Sequence, residues 1–356
     1  MTDLTAALDQ LAAGFRRLKG IGDATPGDGD TILFDEWDWE VGVGLYGMFR
    51  DAQHRDDSAT IKALSRWYDW QIGRGLPARQ VNSTAPMLAL ACLADHTGRA
   101  DWRALCEDWA AWLVQDLPKT PEGGFEHVVK EGRRPGQLWD DTLFMAVLFL
   151  AQTGRMSGRD DWVAEAQYQY LVHIRYLADT ETGLFFHGWT FEGRHNYARA
   201  CWARGNAWVT IAIPELFVIA PPEDGVLRRY LTEVLRAQVE ALARYQNAEG
   251  MFHTLLDDPT SPVEASATAG FGYGVLAGCR LGLLPPESRR IAEHAQNAVL
   301  RRIGADGVLA DVSDGTPMGD TLTFYSRIPN IAAPYGQALA SLFLMEARRQ
   351  DFRYAV

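Results

Sequence analysis

Asp140 and Asp141 stand side by side at the head of Leu138-Trp-Asp-Asp-Thr-Leu-Phe-Met-Ala-Val-Leu-Phe-Leu150, a segment apolar on every side. A helix without a polar face is a buried helix, so this stretch carries an acidic pair to the mouth of one. Two roles are open to the pair. Either carboxylate can cap the first helical turn, and a carboxylate held at the rim of a buried core can give and take protons. Other chemistry-bearing residues gather in a few short clusters: Trp37-Asp-Trp-Glu40, Asn82-Ser-Thr84, Trp139, His187-Gly-Trp189, Trp202-Ala-Arg-Gly-Asn-Ala-Trp208 and His253. Arg204 offers a planar fork that matches a carboxylate. The 12 tryptophans, several beside loop residues, offer faces on which a sugar ring stacks. Together these groups point to a small acidic sugar as ligand.

These residues must be placed by helices, because the periodicity is helical nearly throughout. The spacing predicts helices over 3–19, 40–53, 58–74, 83–97, 101–115, 141–153, 160–177, 200–219, 224–246, 265–280, 287–302 and 334–350. Ser83 or Thr84 is the expected cap of the fourth, and Gly154 the expected stop of the sixth. Odd-numbered helices are amphipathic, and even-numbered ones are apolar or small all round, as in Met87-Leu-Ala-Leu-Ala-Cys92. The loops alternate too, long before each even helix and short after it. A half-solvated outer ring around a buried inner ring gives this pattern, which predicts an all-α (α/α)6 barrel of six hairpins, in one domain over 1–356. A helical solenoid would not bury alternate helices so evenly. The long loops echo one another in Glu122-Gly-Gly-Phe-Glu-His127, Thr182-Gly-Leu-Phe-Phe-His187, Glu249-Gly-Met-Phe-His253 and Asp306-Gly-Val-Leu-Ala-Asp311. They enter the inner helices at their N-termini, where unpaired N–H groups and positive dipole ends suit an anion.

Composition sets the outer bounds. A net charge of −12 argues against a nucleic-acid or anionic-membrane partner. No apolar stretch is long enough to span a bilayer and no basic-then-apolar leader opens the chain, so the expected location is cytoplasmic. Cys92, Cys106, Cys201 and Cys279 are scattered without a CxxC pairing. No metal is expected, since His127, His187 and His253 lack a helical ligand spacing, and no cofactor is expected, since no dinucleotide or P-loop fingerprint appears. A serine-hydrolase elbow is also absent. The oligomeric state is left open. Each candidate has a plainer role: His187 bonding a backbone carbonyl, Arg204 pairing with Glu264 or Asp141, and Trp202 and Trp208 serving as core.

At this point the motifs carry a resemblance. Leu138-Trp-Asp-Asp-Thr-Leu-Phe-Met145, Trp202-Ala-Arg-Gly-Asn-Ala-Trp208, Phe186-His-Gly-Trp189 and Glu264-Ala-Ser-Ala-Thr-Ala269 resemble glycoside hydrolase family 105, the unsaturated rhamnogalacturonyl and related uronyl hydrolases. The likeness runs from Trp39-Glu-Val-Gly-Val-Gly-Leu-Tyr-Gly47 to Pro334-Tyr-Gly336. It implies the same barrel and an unsaturated uronyl oligosaccharide substrate. It also implies one aspartate, Asp141 by position, that protonates C4 of a C4=C5 bond and activates the water that adds at C5. The resemblance assigns substrate contacts to His187, Trp202, Arg204 and Trp208, with Trp139 beside the acid. Asn82 stands where well-studied members carry an aspartate, and His253 joins the set as a polar group at a loop mouth. Asp140 is left a supporting, pKa-tuning role. Three other readings compete. A sugar epimerase would use His187 and His253, a non-catalytic saccharide-binding protein would keep only the tryptophans, and an inverting glycosidase would need Glu40 or Glu264 as second acid.

Overall fold

The computed structural model describes residues 4–15 and 36–354. The outer helices are α1 (Leu4–Phe15), α3 (Ser58–Arg74), α5 (Ala100–Gln115), α7 (Asp160–Leu177), α9 (Gly225–Tyr245) and α11 (Arg289–Leu300). The inner ones are α2 (Trp39–Arg55), α4 (Val81–Thr97), α6 (Leu148–Ser157), α8 (Ala203–Ile219), α10 (Ala265–Arg280) and α13 (Pro334–Tyr354). Each inner helix packs on the next in that order, and α13 packs back on α2, which closes the ring. The expected (α/α)6 barrel is therefore the fold. The burial pattern states the reason. In α10 every residue from Ala265 to Gly278 is buried, whereas α9 buries a stripe of Leu231, Leu235, Gln238, Val239 and Leu242 and leaves its other face wet. Near the barrel axis Glu215 of α8 accepts hydrogen bonds from Tyr46 of α2 and Tyr273 of α10, tying three inner helices together. Among the described residues no helix is long and apolar enough to cross a membrane. The four cysteines are unpaired.

The echoing loops do one repeated job. Gly123, Gly183, Gly250 and Gly307 all take positive φ, between 79° and 88°, a region open to glycine at little cost. Each turn then lies against the outer helix of the next hairpin. A Cβ at Gly183 would fall 2.6 Å from the Ala237 carbonyl of α9, one at Gly250 would meet His294 of α11, and one at Gly307 would meet Gln10 of α1. A buried amide or hydroxyl holds the strand that follows each turn. Gln169 accepts from the Phe125 N–H, Asn206 from Phe185, Thr268 from Phe252 and Gln337 from Leu309. The last of these turns rests on the first helix, so the loop register and the helix ring close together.

Three local expectations are corrected. The fourth helix starts at Val81 rather than 83, because Gln80 accepts from the Asn82 N–H and Ser83 accepts from the Gln80 N–H, a reciprocal cap. Asn82 therefore lies in the first turn of α4. Gly154 does not stop α6, which runs on to Ser157 and ends at Gly158. A Cβ at Gly154 would sit 3.0 Å from Val163, so this glycine serves close packing on α7. The loop 303–333 contains a short helix, α12 (Leu322–Ser326). Of the first predicted helix, residues 3 and 16–19 lie outside the described residues.

Gly250→Ala forces a side chain into a positive-φ position against the backbone of α11, and should lower unfolding stability by about 1–3 kcal/mol in urea titration. Gly225→Ala, at a helix start with open space around it, should change stability far less.

Candidate active site

The long loops meet over the N-terminal ends of the inner helices and enclose a cavity of about 320 Å³. Three short antiparallel pairs order these loops: β1 (Gln137–Trp139) with β2 (Gly188–Thr190), β3 (Phe252–His253) with β4 (Val263–Glu264), and β5 (Val312–Ser313) with β6 (Asn330–Ile331). Asp141, Trp139, Asn82, Trp202 and Arg204 all line the cavity, together with Trp39, Glu40, His127, Lys130 and Arg134. The pairing of β1 with β2 sets Trp139 opposite Gly188, and the Asp140 N–H donates to the His187 carbonyl. That register delivers the acidic pair beside His187.

The pair does not cap a helix. It precedes a π-helical turn over Leu143–Val147 whose start has no side-chain cap, and both Asp140 oxygens are buried without a hydrogen-bond partner. Asp141 faces His187, with Oδ2 3.5 Å from Nε2. Behind it, His187 Nδ1 lies 2.8 Å from the Tyr325 hydroxyl of α12, and the Gly319 N–H donates to that same hydroxyl. Of the acceptors for the Tyr325 proton, Nδ1 is nearer than Met318 Sδ at 3.6 Å, and donation to Nδ1 is the stronger bond. This sets the tautomer that points Nε2–H at Asp141. Burial pulls the His187 pKa down, so the ring stays neutral at neutral pH. Burial also lowers His127, to about 4. His127 stacks on Trp139 with centroids 4.3 Å apart and bonds the Thr142 hydroxyl at 2.9 Å. Burial pushes Asp141 up, but the imidazoles of His187 and His127 outweigh it and hold the carboxyl below its ordinary range. Asp140 goes the other way: enclosure and the neighbouring Asp141 raise it well above the carboxylate range.

Arg204 is built into the wall. Its two terminal nitrogens donate to the Ser313 carbonyl and hydroxyl at 2.8 and 2.7 Å, to the Asp314 carbonyl at 2.9 Å and to the Thr316 hydroxyl at 3.3 Å. The guanidinium is flanked by Trp202 and Tyr335 at 4.7 and 4.6 Å. Glu264 stands 3.9 Å away, but its oxygens are committed to the N–H groups of Ser266, Ala267 and Ser313, so it caps α10 and is not a free second acid. Arg204 therefore fixes the loop after β5 and presents a fixed positive field to the cavity. Glu40 is different. It lines the cavity, and burial together with Asp38 and Glu36 lifts its pKa to about 7.

Two sequence candidates lie apart. Trp208 is fully buried and packs on Trp39 and Phe144 behind the cavity wall. His253 is not among the lining residues; its Nδ1 bonds the Ser261 carbonyl at 2.6 Å. The repeat explains it. His127 and His187 come four residues after their turn glycines, but His253 comes three after Gly250. In extended chain one residue reverses the face, so Thr254 occupies the equivalent place. His127 and Tyr325 were missed as site residues. The matching spacing of His127 and His187 was the available signal for the first, and Tyr325 had none.

Among the described residues, Asp140, Asp141 and His187 form one group whose donor atoms lie within 4.8 Å of one another. Asp140 and His187 are sealed behind Asp141 and do not line the cavity, so the group has no open position of the kind a catalytic metal needs toward substrate. The arrangement suits proton exchange instead.

A cavity lined by the carboxylates Asp141 and Glu40 and by the indoles of Trp39, Trp139 and Trp202, on an (α/α)6 barrel, is the kind of site that takes a saccharide. The comparisons agree: the chain belongs to glycosyl hydrolase family 88, whose model matches residues 25–350. The unsaturated rhamnogalacturonyl hydrolase YesR of Bacillus subtilis is 29% identical over 323 residues, covering 89% of this chain and 91% of that protein. A Klebsiella pneumoniae structure described as a possible member of the GH105 family is 41% identical, with a TM-score of 0.92 over 99% of this chain and 94% of that one. The unsaturated glucuronyl hydrolase of Bacillus sp. GL1, at 16% identity, shares the fold with a TM-score of 0.70 over 97% and 95% of the two chains. The chain is thus a glycoside hydrolase of the group that acts on unsaturated uronyl sugars.

The electrostatics of Glu40 give a pH prediction. Its folded pKa, about 7, exceeds the ordinary 4.5, so the folded state binds the proton more tightly than the unfolded state and stability falls as pH rises from 4.5 to 7. Glu40→Gln removes that loss. The variant should match the parent below pH 4 and exceed it above pH 7, by at most about 3 kcal/mol in denaturant melts.

Proposed function

We propose that the protein removes a terminal 4,5-unsaturated uronyl residue from a lyase-derived oligosaccharide by hydrating its C4=C5 bond. The observation that carries this reading is the inequality of the acids around the cavity. Asp141 is backed by a neutral imidazole of fixed tautomer, Asn82 occupies the first turn of α4, and Glu264 is spent on a helix cap. Two matched carboxylates flanking an anomeric carbon are what ordinary glycosidases use. A single acid–base group is enough for hydration. Asp141 gives a proton to C4, then takes one from the water that adds at C5. The hemiketal opens the ring, and the aglycone leaves from C1 without further help. Trp39, Trp139 and Trp202 supply stacking faces, and Arg204 supplies the fixed positive field for the uronate carboxylate. This chemistry calls for neither metal nor organic cofactor.

A second reading has one observation in its favour. Glu40 shares the cavity and titrates near neutrality, as a general acid in a two-carboxylate mechanism would. The family relationship and the name of the B. subtilis relative weigh toward hydration.

The test is an absorbance assay. Unsaturated disaccharides from rhamnogalacturonan, glycosaminoglycans and ulvan each carry a conjugated enoate, and turnover bleaches its ultraviolet band. Bleaching is expected for at least one, the rhamnogalacturonan fragment first. Asp141→Asn should lower kcat roughly a hundredfold to ten-thousandfold with unchanged melting. Intact absorbance across all three classes would defeat the proposal.

A further inference from the structure

Asp141 poses a problem as an acid. Its neighbours hold it ionised, and an ionised carboxylate has no proton to give. The neighbouring carboxyl is built to hold one. Asp140 is wholly buried, neither of its oxygens has a hydrogen-bond partner, and its carboxyl lies directly on the Cα of Gly205 in α8. A Cβ at residue 205 would fall 2.7 Å from the Asp140 Cγ and overlap both oxygens, so the glycine of the Arg204-Gly-Asn206 motif is what makes room for this group. A buried carboxylate without a donor or counter-ion is far costlier than the neutral acid. A neutral acid has an O–H to direct, and the acceptor within the 4.8 Å group is Asp141. The titratable or charged groups facing the pair are His187 from the segment before β2, His127, Tyr325 from α12, and Arg204 of α8 through His187. None of them gives Asp140 a hydrogen bond.

We propose that Asp140 and Asp141 hold one proton between them, with Asp140 its resting site and Asp141 the group that delivers it. Asp140 is a positioning residue, because it reaches the substrate only through its neighbour. The inference rests on the hydration reading above. At rest the pair is Asp140–COOH with Asp141–COO⁻. When the uronate carboxylate arrives, the O–H bond on Asp140 breaks as one forms on Asp141. That second O–H breaks as the C4–H bond forms, using the C4=C5 electron pair and leaving an oxocarbenium at C5. The pair now carries two negative charges at close range, and is a strong base for the water attacking C5. Water's proton returns to the pair as its oxygen bonds to C5. The sum is addition of one water, with the pair restored. The same enclosure thus supplies an acid in the first half and a base in the second, which a lone carboxylate of fixed low pKa does poorly.

Two measurements test this, and the first needs no substrate. In protein labelled with ¹³C at the aspartate carboxyl, one side chain should stay protonated at pH 7, and its signal should vanish in Asp140→Asn. If every aspartyl carboxyl of the wild type is ionised at pH 7, the proposal is overturned, whatever the substrate assays give. The second is the pH profile of kcat. Asp140→Asn keeps the shape but has no proton to lend, so activity should move to lower pH, with a loss of at least about tenfold at pH 7.5 relative to pH 5. Asp140→Glu should recover part of the neutral-pH activity. A variant that loses activity equally at every pH would reduce Asp140 to packing. Should Asp140→Asn not fold, the wild-type spectrum still decides. If no uronide is bleached but the protonated carboxyl is present, the function fails and the shared proton stands.

Discussion

The fold depends on one constraint: six helices buried on all sides must be covered on all sides. An inner helix such as α10 has no face for water, so it is stable only when two inner neighbours and an outer helix enclose it, and the demand passes round the ring until α13 meets α2. Closure fixes direction as well. The inner helices run parallel to one another because each is preceded by an outer helix and a long return loop. Their N-termini therefore gather at one end, and the loops there must cover the opening. The buried Glu215, shared by Tyr46 and Tyr273, is the polar counterpart of this requirement within the barrel. A carboxylate so enclosed needs its partners, and both come from other inner helices.

The site follows from the same geometry. The register of β1 on β2 ties the acidic pair to His187, and the pairing of β5 with β6 brings up the carbonyls that hold Arg204. The polar groups at and behind the mouth are each held by a neighbour: Tyr325 against His187, Gly205 beneath Asp140, and the loop after β5, itself part of the cavity wall, against Arg204. Supports of this kind set tautomer and charge at low cost in mobility. They also divide two chemically identical neighbours, since the imidazoles act on Asp141 while Asp140, packed on Gly205, has no hydrogen-bond donor and feels chiefly its burial and Asp141.

Most of the architecture was legible in the sequence, because the alternation of amphipathic and all-apolar helices is a direct record of solvent exposure. The helix over 58–74 matches residue for residue. The acidic pair, Arg204 and the tryptophans were visible because loop residues that carry chemistry stand out against apolar helices. What stayed hidden depends on contacts distant in the chain. Tyr325 meets His187 across 138 positions, and no local pattern announces it. Gly154 reads as a helix stop, yet it marks the close approach of α7. His253 shares the composition of its repeat but is one residue short of the shared position, so a match by residue type alone misplaced it. Capping, the plainest expectation for Asp140 and Asp141, gave way because a π-helical turn follows them.

The central claim is that one proton-active site adds water to a double bond and that bond cleavage at C1 is a consequence. The most direct measurement compares two glycosides of the same uronic acid with the same aglycone, one with the C4=C5 bond and one saturated. The account predicts release of the aglycone from the unsaturated compound alone, since the saturated one offers Asp141 no C4 to protonate. Comparable release from both would place the chemistry at the anomeric carbon and contradict it.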